Sequence, residues 1–288
     1  MAAHQFPTRL RSTPVRRLLL KGLALTACIG AVVLLVVSRP VGATAQLSAL
    51  EHQAADHAGS TIRAHEGSLT TTSSTVTTTV SGVRGMDVSG WQGNVNWTAA
   101  WNNGARFAYV KATEGTGYTN PYFAQQYNGS YNVGMIRGAY HFARPNLSSG
   151  ATQADYFVNH GGGWSRDGKT LPPMLDIEYN PYGSTCYGLS QSGMVNWLWS
   201  FVNRMRYRTG RYVTIYTTTN WWITCTGNYG GFGAYSPLFI ARYASTPGTL
   251  PNGWGFYTFW QYSDSGIFPG DQDTFNGSYD RLIALANG

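Results

Sequence analysis

The chain has 288 residues, enough for one large domain or two small ones. Charged residues make up 11% and aromatic residues 14%, with 35 glycines, which excludes a disordered chain or a coiled coil and fits a loop-rich, aromatic-lined globule. The formal net charge of +7 is concentrated in Arg9, Arg11, Arg16, Arg17, Lys21 and Arg39; residues 46–288 carry 14 basic against 13 acidic side chains, a balance that argues against a nucleic-acid partner.

At the N-terminus, basic residues up to Lys21 lead into an apolar run over residues 22–37, then Arg39, Pro40 and Ala43-Thr44-Ala45. A positive region, an apolar region and an Ala-x-Ala site predict a secretory signal peptide over residues 1–45. The expectation is a secreted, extracellular protein, with no stable membrane association after cleavage. The run is short for a full span, against an uncleaved anchor. Leu25-Thr26-Ala27-Cys28 resembles a lipobox, but the apolar run continues well past Cys28. Residues 46–83 read as a Thr/Ser-rich spacer or propeptide, because the nearly pure Thr, Ser and Val run at 70–79 cannot bury enough apolar surface to offset its ordering entropy. The globular domain is expected over residues 84–288.

From Gly85 the chain alternates short apolar segments with helical ones. Strands are predicted over residues 86–88, 107–112, 135–141, 174–177, 213–216, 238–241 and 256–262. Asn120-Pro121 predicts a helix start. Residues 149–159 form a second predicted helix and 190–208 a third, with Met194, Trp197, Leu198, Phe201 and Met205 at helical spacing. The Arg204, Arg206, Arg208 and Arg211 stretch reads as the solvated end of that helix. After Tyr216 helices thin out, and Trp221-Trp222 either line a cleft or pack a long loop. Strand–helix alternation of this kind implies a parallel sheet, closed here into a barrel.

In such a barrel, functional residues stand at the C-terminal ends of strands. Asp87 ends the first, Lys111 and Glu114 flank the end of the second, and Tyr140 and His141 end the third. Asp176 and Glu178 end the fourth and Tyr216 the fifth. Trp260, Gln261 and Tyr262 end the last, with Asp264, Asp271 and Asp273 in the loop beyond. Asp176 and Glu178, two apart on a strand, project to one side. Crowded acids separate in pKa, so one stays protonated near neutral pH while the other is charged, the pair that glycoside hydrolysis needs. Once Cys28 has left with the signal, Cys186 and Cys225 remain as an even pair in an oxidising compartment and are expected to bridge. Two cysteines without a matching His cluster give no zinc site. With no phosphate loop or Ser/His/Asp motif, no cofactor and no metal are expected.

Five runs together resemble glycoside hydrolase family 25, the Ch-type lysozymes: Met86-Asp87-Val88-Ser89-Gly90-Trp91-Gln92, Lys111-Ala112-Thr113-Glu114-Gly115, Gly138-Ala139-Tyr140-His141-Phe142, Asp176-Ile177-Glu178 and Trp260-Gln261-Tyr262. The resemblance spans residues 84–288. It implies an irregular TIM-like β/α barrel of five βα units followed by three strands. It also implies an N-acetylmuramidase cleaving the β-1,4 bond between N-acetylmuramic acid and N-acetylglucosamine in bacterial peptidoglycan. The family acid maps onto Glu178. The family aspartates map onto Asp87, Asp176 and one of Asp271 and Asp273, with Asp271 the better alignment through Phe275 and Gly277. Asp176 is expected to stay ionised, stabilising the transition state or orienting the substrate's acetamido group. Whether an enzyme carboxylate or that group is the nucleophile stays open, as does tolerance of 6-O-acetylated muramic acid.

Tyr140, Tyr216, Trp260 and Tyr262 are candidate sugar platforms, and Gln261, His141 and Glu114 candidate polar contacts. Ser89 and Gln92 are expected to fix the loop after the first strand. A monomer is expected, with affinity coming from the cleft, since no wall-binding repeat is visible. A family 18 chitinase is the nearest alternative enzyme, but Leu171 and Met174 stand where that motif carries acids. A catalytically inactive wall-binding module on the same barrel is the alternative of another class, and retention of Asp87, Asp176 and Glu178 argues against it.

Overall fold

The computed structural model describes residues 56–67 and 80–288. Residues 1–55, with the predicted signal peptide, and residues 68–79, with the whole Thr/Ser run, lie outside the described residues. The seven predicted strands all form, as β1 (Val83–Val88), β2 (Phe107–Glu114), β4 (Ile136–Phe142), β5 (Met174–Asp176), β6 (Thr214–Thr217), β7 (Leu238–Ala241) and β8 (Phe259–Ser263). The two-residue β3 (Tyr118–Thr119) folds back on the end of β2. An eighth long strand, β9 (Asp271–Phe275), lies where a loop was expected. It inserts antiparallel between β8 and β1 and closes the ring in the order β1-β2-β4-β5-β6-β7-β8-β9, whose other neighbours pair in parallel.

The α/β barrel follows from alternation along each strand. On β5 and just beyond, Met174 belongs to the inner core while Leu175 and Ile177 belong to the outer one, so Asp176 and Glu178 face inward. The inner core is aromatic: Phe107, Tyr109, Tyr140, Tyr216, Phe239 and Phe259 fill the barrel axis. Phe107 needs Gly85 opposite it, since a Cβ there would lie 2.4 Å from the ring. Burial of each such ring contributes about 2–3 kcal/mol.

Helices cover the outside. They are α2 (Trp97–Asn102), α3 (Phe123–Asn132), α4 (Gly150–Asn159), α5 (Gln191–Thr209), α6 (Thr219–Thr226) and α7 (Tyr279–Asn287), preceded in the chain by α1 (Ile62–Glu66). Side chains of Ser149 and Ser190 cap α4 and α5 by accepting from the third amide of each helix. All five apolar residues predicted on α5 are buried. Arg204 pairs with Asp155 on α4 at 2.8 Å, and Arg208 with the same carboxylate, so this basic stretch ties two helices together. Helices do thin out after Tyr216, with none between α6 and α7 and β7, β8 and β9 following one another directly; α6 carries Trp221 and Trp222 into the outer core, and α7 buries Leu282 and Ala286. The Trp pair therefore packs a helix against the barrel wall.

Cys186 and Cys225 are bridged, with Cα atoms 5.3 Å apart, joining the loop after β5 to α6. Residues 56–67, assigned by composition to the spacer, pack into the barrel mouth. Ala58 and Ile62 join the inner core and are 0% and 1% exposed. Two buried apolar side chains and hydrogen bonds to buried acids offset the ordering cost that the Thr/Ser composition suggested. Among the described residues no helix is long and apolar enough to cross a membrane.

Candidate active site

Asp87, Asp176, Glu178 and Asp271 converge at the C-terminal mouth of the parallel strands. Asp87 is the penultimate residue of β1, and Asp271, which starts the reversed strand β9, is its direct register partner. Gln261 on β8 binds the two together, its Nε2 donating to Asp87 Oδ2 at 2.8 Å and to Asp271 Oδ2 at 2.9 Å. Its Oε1 accepts from the Tyr216 hydroxyl at 2.7 Å, so Tyr216 positions Gln261 as well as walling the cleft. Asp273 faces the same interior one layer deeper, opposite Gly85, and its carboxylate accepts no hydrogen bond from the described residues. Asp271 is thus the aspartate that joins the hydrogen-bonded acid group.

A bulge in β2 decides a further pair. The register against β4 slips at Ala112, so Lys111 aligns with Tyr140 and Glu114 with Phe142. An odd spacing of three then leaves both charges on the inner side. Lys111 Nζ donates to Glu114 Oε2 at 2.8 Å, and Arg144 donates to Glu114 Oε1 at 3.0 Å. Glu114 therefore has both oxygens occupied and holds two cations at the rim. Lys111 was read from the sequence only as a strand-end residue, and Arg144, Tyr182 and Tyr243 were not singled out at all, because they sit on loops with no periodic signal.

Three of the predicted contacts do not join the acids. His141 points to the helix layer, where Nδ1 meets Thr113 Oγ1 at 2.7 Å, Nε2 meets Gln153 Oε1 at 3.0 Å, and its ring packs on Phe157 and Phe201. Trp260 also faces outward and donates through Nε1 to the Arg242 carbonyl at 2.9 Å, with Tyr262 edge-on against it. Each follows from strand parity: Tyr140 and Gln261 take the inner face, so their neighbours take the outer. Ser89 and Gln92 close a capping box on the turn after β1, as expected.

Burial sets the electrostatics. It pushes Glu178 up to about 8, against hydrogen bonds from Thr61 and Gly59 that favour the charged form. It pushes Asp87 up to about 7, opposed by the Gln261 amide. Asp176 rises well above the ordinary carboxylate range, first through burial and then through the charge of Glu178. Its two oxygens find no donor among the described residues. Among the described residues, then, nothing donates to Asp176 to favour the ionised form expected of it. Asp271 is raised well above its usual range by burial and then by Asp87. Among the described residues, no group of His, Cys, Asp and Glu is arranged to hold a metal ion.

The sequence model of glycosyl hydrolases family 25 matches residues 86–271. Lysozyme M1 of Streptomyces globisporus is 54% identical over 212 residues, covering 72% of this chain and 72% of its own. The N,O-diacetylmuramidase of Chalaropsis sp is 50% identical over 210 residues, which are 72% of this chain and 100% of that one. The structure of a family GH25 lysozyme from Aspergillus fumigatus superposes with a TM-score of 0.71 at 52% identity, again over 72% of this chain and 100% of that one. With its barrel, its clustered acids and these relatives, the chain belongs to glycosyl hydrolases family 25 and is a glycoside hydrolase.

Proposed function

We propose that this protein is a secreted, monomeric lysozyme that hydrolyses the β-1,4 bond between N-acetylmuramic acid and N-acetylglucosamine in bacterial peptidoglycan. The observation that carries the reading is the convergence of Glu178 with Asp176, Asp87 and Asp271 at the barrel mouth, where burial raises the Glu178 carboxyl to about 8. A carboxyl with that pKa is a competent general acid at neutral pH.

In the proposed reaction Glu178 gives its proton to the leaving O4 of glucosamine as the bond from muramic acid C1 breaks. Asp176, whose oxygens lack donors, accepts the N–H of the substrate's acetamido group and turns its carbonyl oxygen onto C1. Accepting that N–H favours the charged form of Asp176, as the mechanism requires. Water then attacks C1 of the cyclic intermediate, Glu178 takes the water proton, and the product retains its anomeric configuration. Asp87 and Asp271, tied by Gln261, shape the field, while Tyr140 and Tyr216 wall the cleft. The name of the Chalaropsis relative extends the proposal to O-acetylated muramic acid.

Glu178→Gln tests the assignment. Wall clearance is expected to fall about 10²–10⁴-fold with the fold intact. New reducing ends should lie on muramic acid. Reducing ends on glucosamine, or full activity in the Gln variant, would contradict the proposal.

A further inference from the structure

The cleft of this enzyme is already occupied by its own chain. Residues 58–61 turn through the mouth and α1 follows against the rim. The Gly59 amide donates to Glu178 Oε1 at 2.8 Å and the Thr61 hydroxyl to Glu178 Oε2 at 2.5 Å, so both oxygens of the general acid are engaged. Gln261 donates to the Ala58 carbonyl at 2.9 Å, and Lys111 to the Asp56 carbonyl at 2.6 Å. The Tyr140 hydroxyl accepts from the Ala58 amide at 3.2 Å, while the Tyr243 hydroxyl donates to the Gly59 carbonyl at 3.2 Å. At the rim Arg63 pairs with Asp264, the Tyr179 hydroxyl donates to Glu66 at 2.8 Å, and His65 stacks on Tyr179 with centroids 4.1 Å apart. Two rim cavities have the segment as one wall, one beside Thr61 and Trp91 and the other beside Glu66 and Arg242.

We propose that residues 56–67 are an intramolecular ligand of the glycan cleft: docked on Glu178, Gln261 and Lys111, the segment keeps the enzyme in a self-inhibited state that ends when it leaves the mouth. The inference rests on the hydrolase reading of that cleft. Two features make it more than a chance contact. The segment answers the cleft's buried donors and acceptors one by one across 55–203 residues of sequence separation. It also gives Glu178 donors, whereas the general acid must itself donate to a glycosidic oxygen. With both oxygens engaged by the segment, neither is free to reach a glycosidic oxygen. The Chalaropsis and Aspergillus fumigatus relatives are matched over their full length by 72% of this chain, and the family match begins at residue 86, beyond the segment. Because it is tethered, the segment competes at high effective concentration. If it is docked 99% of the time, apparent glycan affinity falls about 100-fold.

Gly59 provides the test without touching the barrel. Its φ is +92°, and a Cβ there would lie 2.2 Å from the Tyr243 hydroxyl and 2.6 Å from Gln261 Oε1. Gly59→Leu should therefore expel the segment, and Arg63→Ala should loosen it. The full chain, its residues 56–67 verified as intact by mass spectrometry, is compared with both variants. Wall clearance should rise at least tenfold in Gly59→Leu and to a lesser degree in Arg63→Ala. Amide exchange over residues 58–62 should be slow in the parent and fast in Gly59→Leu. An active parent with clearance equal to Gly59→Leu overturns the inference and leaves the lysozyme proposal standing, as does fast exchange over residues 58–62 in the parent. Glu178→Gln added to Gly59→Leu separates the two ideas. If that double variant still clears walls, the catalytic proposal fails, and the inhibitory role built on Glu178 fails with it even where exchange is slow.

Discussion

Asp87 shows how a single buried side chain carries a pH signature. Its pKa of about 7 lies above the ordinary value of 3.8 because burial disfavours its charge. The folded state therefore binds this proton more tightly than the unfolded chain. Its contribution to stability is complete below about pH 4 and lost as pH rises through about 7. His141 has the opposite sign: burial lowers it from 6.5 to about 4, so its contribution is lost as pH falls through that window. Comparing parent with Asp87→Asn cancels the histidine, and Asn still offers Gln261 an acceptor. The melting temperature of the parent should fall more steeply between pH 4 and 7 than that of the variant. Parallel curves would mean that Asp87 is charged in the folded protein at neutral pH. The same residue was legible in the sequence as a strand-end acid. Its tie to Asp271 through Gln261 was not, because a side-chain amide bridging two strands 174 and 10 residues away leaves no local pattern.

At the scale of elements, the parallel strands were legible because each is a short apolar run with clear punctuation. β9 was not: Asp271-Gln272-Asp273-Thr274-Phe275 has no apolar run, and Asp is depleted in strands. It forms because both edges of the open sheet need a partner, and a strand placed between them satisfies both. α6 was obscured by β-branched residues and its eight-residue length, whereas α7 did carry a readable Leu282/Ala286 pair at helical spacing. His141 tests the strand-to-helix joint between β4 and α4. His141→Ala strands Thr113 and leaves a void between Phe157 and Phe201. It should cost about 3 kcal/mol of stability, read as a lower denaturant midpoint, with the Michaelis constant for walls unchanged in protein that remains folded. A weakened Michaelis constant at unchanged midpoint would return His141 to the substrate cleft.

For the whole molecule, the stability of the barrel depends on how the loop after β5 is held. The loop between β5 and α5 begins at Ile177 and carries Glu178, then Tyr179 and Tyr182, two tyrosines that both touch the N-terminal segment. It reaches the helix layer through Cys186, bridged to Cys225 on α6 at a separation of 39 residues, and through the Thr185 carbonyl, which accepts from Trp221 Nε1 at 3.3 Å. Closing a loop of that size removes conformational freedom mainly from the unfolded chain, worth about 3–4 kcal/mol in the chain-entropy view. For a domain of this size that converts to roughly 6–16 °C of melting temperature. Cys186→Ala with Cys225→Ala should therefore melt earlier by that margin, while the activity of the still-folded variant at low temperature stays close to the parent's, since the Trp221 bond and the buried Trp pair keep the loop on α6. If activity collapses at temperatures where far-ultraviolet dichroism reports an intact fold, the bridge is positioning Glu178 in the native state, and its effect is on the folded geometry rather than on the entropy of the unfolded chain.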